Sequence, residues 1–179
     1  GCVMKRLLAT VAVAAAMIGS GASAFDPEHL KRLEDTNECT GCNLSGVSLE
    51  GKTFIGANLK SAKLSGANLK GTVLQDANLE GADLTEAVLT DAQLQGAKLY
   101  RAQLNNANLA YADLAEVNLK AAVLIGANLE GALLTKADLR RANLDRANLK
   151  AAELSNAQMR GAILCSTTMP DGSVIYSGC

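Results

Sequence analysis

The sequence is poor in the residues that fill irregular cores. Its 179 residues include no Trp, three Tyr and two Phe, an aromatic content of 3%. A core assembled from mixed shapes relies on aromatic and β-branched side chains, so their scarcity points to a regular, repeated interior. Proline occurs twice and histidine once, which leaves no His-rich metal site to consider. Charge of one sign is also lacking. The formal net charge is −1, without the broad basic footprint of a nucleic-acid binder. At 49% hydrophobic the chain is not a disordered, charge-rich tail. What it has instead is 28 Leu and 31 Ala, a third of all residues.

Residues 4–24, MKRLLATVAVAAAMIGSGASA, have the order of a secretory leader. Lys5 and Arg6 form a basic start, an apolar run follows, and Ala22-Ser23-Ala24 supplies the small-x-small cleavage signature. The run is too short to span a bilayer comfortably. We therefore expect a signal peptide over 1–24, cleaved after Ala24, and no membrane association once it is removed. Removal leaves 15 basic against 18 acidic groups, a charge of −3. Cys2 precedes the basic segment, so it is not placed as a lipoprotein cysteine, and Lys5 stands where a myristoylation signal needs Ser or Thr.

From Leu44 onward a large apolar residue returns every fifth position. The 25 slots from 44 to 164 hold 23 Leu, with Phe54 and Met159 at the other two. Two residues before each slot, 20 of 25 positions are Ala; the exceptions are Cys42, Val47, Lys52, Thr72 and Val117. The residue just before each slot is often Asn or Asp. On an α-helix, five residues advance by about 500°, which would scatter the Leu side chains around every face. On a straight strand, successive Leu residues five apart would alternate faces. Keeping them all inside requires one turn per pentapeptide, and repeated turns of one sense make a coil.

Two residues after the slot, ten positions carry Gly, among them Gly46, Gly96 and Gly131. Glycine supplies the positive φ that a type II turn demands at its third residue. Arg101, Tyr111, Glu116, Lys136 and Arg141 occupy equivalent positions and disfavour that conformation. The pattern therefore predicts a second corner type, concentrated between residues 98 and 160.

GANLK, GADLT, KADLR and RANLD resemble the A(N/D)LXX signature of the pentapeptide-repeat family over about 42–169. The resemblance implies an all-β fold, a right-handed quadrilateral β-helix with four pentapeptides per coil and about six coils stacked ~4.8 Å apart. It predicts four inner columns, one running Leu44, Leu64, Leu84, Leu104, Leu124, Leu144, Leu164. The others start at Leu49, Phe54 and Leu59. Residues 25–40 read as an N-terminal cap containing a short helix over about 26–36, opened by Asp26 and Pro27. His29 is expected on its exposed side. The repeat body is then 41–169 and the tail 170–179.

Four cysteines remain after the leader, an even number that suits an exported, oxidising compartment. Cys39 and Cys42 fall on inward slots of the first coil. They read as a structural cystine or buried thiols, as a redox pair, or as half of a zinc site that lacks further ligands. Cys165 sits where the repeat ends, and a turn at Pro170-Asp171-Gly172 can return Cys179 to it.

Function must then reside on the outer faces. One face carries Lys60, Lys98, Arg101, Lys120, Arg140, Arg141 and Arg160 against Glu80 and Asp138, a basic stripe suited to an anionic partner or to solubility. Tyr100 and Tyr111 are further contact candidates. Outward Val73, Val88, Val123, Leu133 and Ile163 are scattered. No nucleophile motif, phosphate loop or metal cluster is evident, so we expect no enzyme, no cofactor and no metal. The reading that follows is a non-catalytic, exported, monomeric scaffold binding an unidentified protein in the periplasm or thylakoid lumen. Two others differ in class: a redox-regulated protein using Cys39 and Cys42, and a DNA mimic that protects a topoisomerase, as the resemblance also implies. The export signal and the basic stripe oppose the last.

Overall fold

The computed structural model describes residues 24–179; the leader and its cleavage signature lie outside the described residues except for Ala24. The first element is helix α1, Pro27–Thr36. Asp26 caps it by accepting the Glu28 N–H at 2.9 Å, and Pro27 stands at the first position, where no N–H is needed. Asn37, in the left-handed region at φ 61°, ends it with its N–H on the Leu33 carbonyl. Leu33 is fully buried against the first coil, and Phe25 and Leu30 pack beside it.

Beyond α1 the chain is a solenoid. Every fifth residue from Glu38 to Asn148 forms a parallel bridge with the residue twenty further on, so four pentapeptides complete one coil. The straight stretch between corners is only about two residues, and the bridges are therefore isolated. Among the described residues continuous strands occur only in the tail, where β1 (Thr167–Thr168) pairs antiparallel with β2 (Val174–Ile175).

The core is the Leu and Ala of the repeat, stacked in register and almost completely excluded from solvent from Leu44 to Leu149. Each buried Leu contributes roughly 1.5–3 kcal/mol. Substitutions at the small slot are accommodated individually. Thr72 is buried and its hydroxyl donates to the Leu49 carbonyl at 2.8 Å; Thr167 repeats that geometry on Leu144 at 2.7 Å. Lys52 instead points outward and pairs with Glu34 of α1, fastening the helix to the first coil.

The pentapeptide at Leu109 shows how the backbone is satisfied. Ala107 N–H closes the corner on the Leu104 carbonyl, and Asn108 N–H reaches back to the Ala87 carbonyl. Leu109 and Tyr111 N–H reach forward to Asn128 and Glu130. The remaining donor, Ala110 N–H, is taken by the Asn108 side chain at 3.1 Å. That last bond explains the Asn/Asp preference: a short side-chain acceptor reaches the backbone two residues on. It recurs wherever the slot before the large residue is Asn or Asp, as at Asn58, Asp83, Asn118 and Asn148.

The expected second corner type is absent among the described residues. Arg101, Tyr111, Glu116, Lys136 and Arg141 all have positive φ, between 56° and 59°, like the corner glycines. Each corner N–H is held by a bond to the next coil, such as Tyr111 to Glu130 at 2.8 Å, and the flanking Leu residues are buried. Those terms offset the roughly 1–2 kcal/mol cost of a left-handed residue.

Candidate functional site

The outer faces follow from the twenty-residue register. One side and the corner that ends it carry two cationic columns. Lys60, Glu80, Tyr100, Lys120, Arg140 and Arg160 succeed each other one residue after the large slot; Ser61, Gly81, Arg101, Ala121, Arg141 and Gly161 follow at the corner. Lys98 lies on the same side, bridged to Asn78 and Asn118. The seven cations named from the sequence thus share one side of the rod.

They are not equivalent. Lys60 pairs with Glu80 at 3.5 Å. Arg140 folds onto Asp138 through two bonds of 2.8 and 2.6 Å. The Arg140 hydrogen bonds hold the Asp138 carboxyl below its ordinary value, against a partial desolvation that would raise it; Lys120 adds a smaller attraction. Arg101 lies over the Tyr100 ring, 5.0 Å from its centroid, a cation–π contact that leaves its charge in place. Lys98, Arg101, Lys120, Arg141 and Arg160 have no carboxylate at ion-pairing distance among the described residues. Sequence position alone does not separate these five from the two neutralised ones.

The four described cysteines form two disulfides, Cys39–Cys42 and Cys165–Cys179. The first is fully buried beneath α1; the second ties the exposed tail end back to the last pentapeptide. His29 is not on the exposed side of the helix. It is half-buried, its Nδ1 accepting the Asn43 N–H at 2.9 Å and its Nε2 lying 3.7 Å from Asp26. The Arg32 Nη2 sits 2.7 Å from Cys42 Sγ, a juxtaposition with no signal in the repeat pattern. No group of three or more potential metal ligands is found among the described residues, and no helix among them is long and apolar enough to cross a membrane.

The pentapeptide-repeat family model matches residues 38–76, 67–106, 102–141 and 127–165, in eight copies. The chain belongs to the pentapeptide-repeat family. Solved pentapeptide-repeat proteins resemble it. One is Rfr23 of the cyanobacterium Cyanothece 51142, 30% identical over 75% of this chain and 92% of that one, with a TM-score of 0.32. Another is HetL of Nostoc sp. strain PCC 7120, involved in heterocyst differentiation regulation, 26% identical over 86% and 100%, with a TM-score of 0.30. A third is an Arabidopsis thaliana thylakoid-lumen protein, 22% identical over 79% and 72%, with a TM-score of 0.26. No curated protein matches the sequence significantly.

Proposed function

We propose that this pentapeptide-repeat protein is a non-catalytic, exported rod that presents a basic side to an acidic protein segment. The observation that carries this is the set of five unpaired cations, Lys98, Arg101, Lys120, Arg141 and Arg160, on one side of the solenoid. Coils repeat every ~4.8 Å, so the charges stand on a stiff, evenly ruled surface whose arrangement costs little to order on binding. A basic side opposes a DNA-mimic role, which needs acidic surface. We read the coil as the right-handed, four-sided form with about six turns ~4.8 Å apart. We also read residues 1–24 as the leader, 25–40 and 170–179 as caps, 41–169 as the rod, and the rod as a monomer. The leader sequence and the two disulfides favour an oxidising compartment, the periplasm or the thylakoid lumen.

The test is titration of the folded protein with a fluorescent oligoglutamate peptide at low and at physiological salt. Reversing Lys120, Arg141 and Arg160 to Glu together is expected to weaken binding at least tenfold, and salt to weaken it in the wild type alone. Reversal of Lys60 and Arg140, already paired, is expected to do less. Unchanged affinity in the triple variant overturns the reading.

A further inference from the structure

The buried cystine under α1 carries a feature that a merely structural staple does not need. Cys39 and Cys42 are both fully excluded from solvent at the first coil. Arg32, itself exposed on α1, directs Nη2 to 2.7 Å from Cys42 Sγ. The sulfur of a disulfide is neutral and gains little from a guanidinium. A thiolate gains a great deal, because an opposite charge in contact favours the ionised form. Among the described residues the Cys39 sulfur has no such partner: it faces the His29 carbonyl oxygen at 3.2 Å, which disfavours negative charge there. The His29 imidazole is turned to Asn43 and Asp26 instead. The two sulfurs of one bond therefore differ in electrostatic setting, and the difference has meaning only when the bond opens.

We propose that Cys39–Cys42 is a thiol–disulfide exchange site for a protein dithiol, with Cys42 as the leaving sulfur and Arg32 as its positioning residue. A thiolate of the incoming dithiol attacks Cys39 Sγ. The Cys39–Cys42 bond breaks, its electron pair stays on Cys42, and Arg32 holds that thiolate. The second thiolate of the donor then attacks its own sulfur in the mixed disulfide and expels Cys39, which takes up a proton. The donor leaves as a disulfide, oxidised by two electrons, and this chain keeps two reduced cysteines. A leaving thiol of lower pKa departs faster, so Arg32 speeds the first step.

Access is governed by α1. The helix covers the pair, and among the described residues only the backbone at Asn37 joins it covalently to the coil. It is held by buried Leu33, the Asp26 N–H on the Asn43 carbonyl at 3.0 Å, and the Lys52–Glu34 pair. Lifting α1 exposes both sulfurs while the twenty-residue ladder stays closed behind them.

The experiment uses dithiothreitol as the dithiol on the full, folded chain, with acid quenching, alkylation and peptide mapping of each cysteine. Wild type is compared with Arg32→Gln and the charge-retaining Arg32→Lys. In the reduced wild type, Cys42 is expected to alkylate with an apparent pKa below the free-cysteine value of about 8.5. Arg32→Gln is expected to raise that value by about one unit, to lower Cys42 alkylation at neutral pH about tenfold, and to slow opening of Cys39–Cys42 about threefold. Arg32→Lys is expected to restore most of both effects. Opening of Cys165–Cys179 is expected to be identical in all three. Coincident Cys42 profiles in wild type and Arg32→Gln overturn the proposal. So does a Cys39–Cys42 bond that opens only in parallel with loss of the β-signal in circular dichroism.

Discussion

A corner residue of this solenoid obeys two separate constraints, and glycine meets them at different positions. The left-handed conformation is one, and Ala121, Ala151 and Tyr111 accept it at φ 57°, 57° and 59°. The other is the side chain from the coil before. At Gly131 a Cβ would lie 2.6 Å from two carbons of the Tyr111 ring, and at Gly96 2.4 Å from the Asp76 carboxylate; at Gly46 nothing lies within 4 Å. Gly46→Ala is therefore expected to cost about 1 kcal/mol, the backbone penalty alone. Gly131→Ala adds the displacement of a ring, and about 1–3 kcal/mol more is expected. Urea midpoints measure both, and pairing Gly131→Ala with Tyr111→Ala is expected to recover the second contribution. Equal costs at 46 and 131 would show that the ring is not constraining.

At the scale of the pentapeptide, the residue before the large slot decides whether one backbone donor is satisfied by the protein or by water. Asn108, Asn128 and Asn148 satisfy it and also form a side-chain ladder, with amide-to-carbonyl distances of 3.3 and 3.2 Å. Val88 occupies the same column between Asn68 and Asn108 and is exposed. Val88→Asn is expected to supply an acceptor for the Thr90 N–H and to join the ladder, raising stability by about 0.5–1.5 kcal/mol. Thermal denaturation reads this directly; a lowered midpoint would mean that the exposed valine contributes more than the bond it displaces. The same scale explains why the rod has almost no continuous strands. Two residues between corners give room for one bridge and no more.

At the scale of the molecule, the two ends differ. The first coil is closed by α1, which buries Leu33. In the last coil Leu154, Met159 and Leu164 are only partly buried, although the tail is pinned by Cys165–Cys179. A mid-rod deletion such as Leu109→Ala removes a fully buried side chain and is expected to cost about 2–5 kcal/mol. Leu164→Ala, at a position already partly exposed, is expected to cost less, about 1–2 kcal/mol. Chemical denaturation of the two variants tests this gradient, and a Leu164→Ala cost as large as that at 109 would mean that the final coil is packed as tightly as the middle. Stability in a solenoid is close to a sum over neighbouring coils, so the loose end is the expected place for fraying to begin.

The five-residue spacing by itself places Leu and Ala inside and requires a turn per pentapeptide. That spacing is a covalent periodicity, and it excludes helix and flat strand by geometry alone. It also placed the seven cations in one sector of the rod and Cys39 and Cys42 on inward slots. It misjudged the corners, because the energy that holds Arg101 or Tyr111 at positive φ comes from the next coil, twenty residues away, not from the residue. It did not separate paired from free cations either: Lys60 finds Glu80 and Arg140 finds Asp138 through side-chain reach and rotamer. Nor did it bring Arg32 to Cys42, since that contact depends on how α1 docks against the first coil. Periodicity sets which way a side chain points; only the assembled coils decide what it meets there.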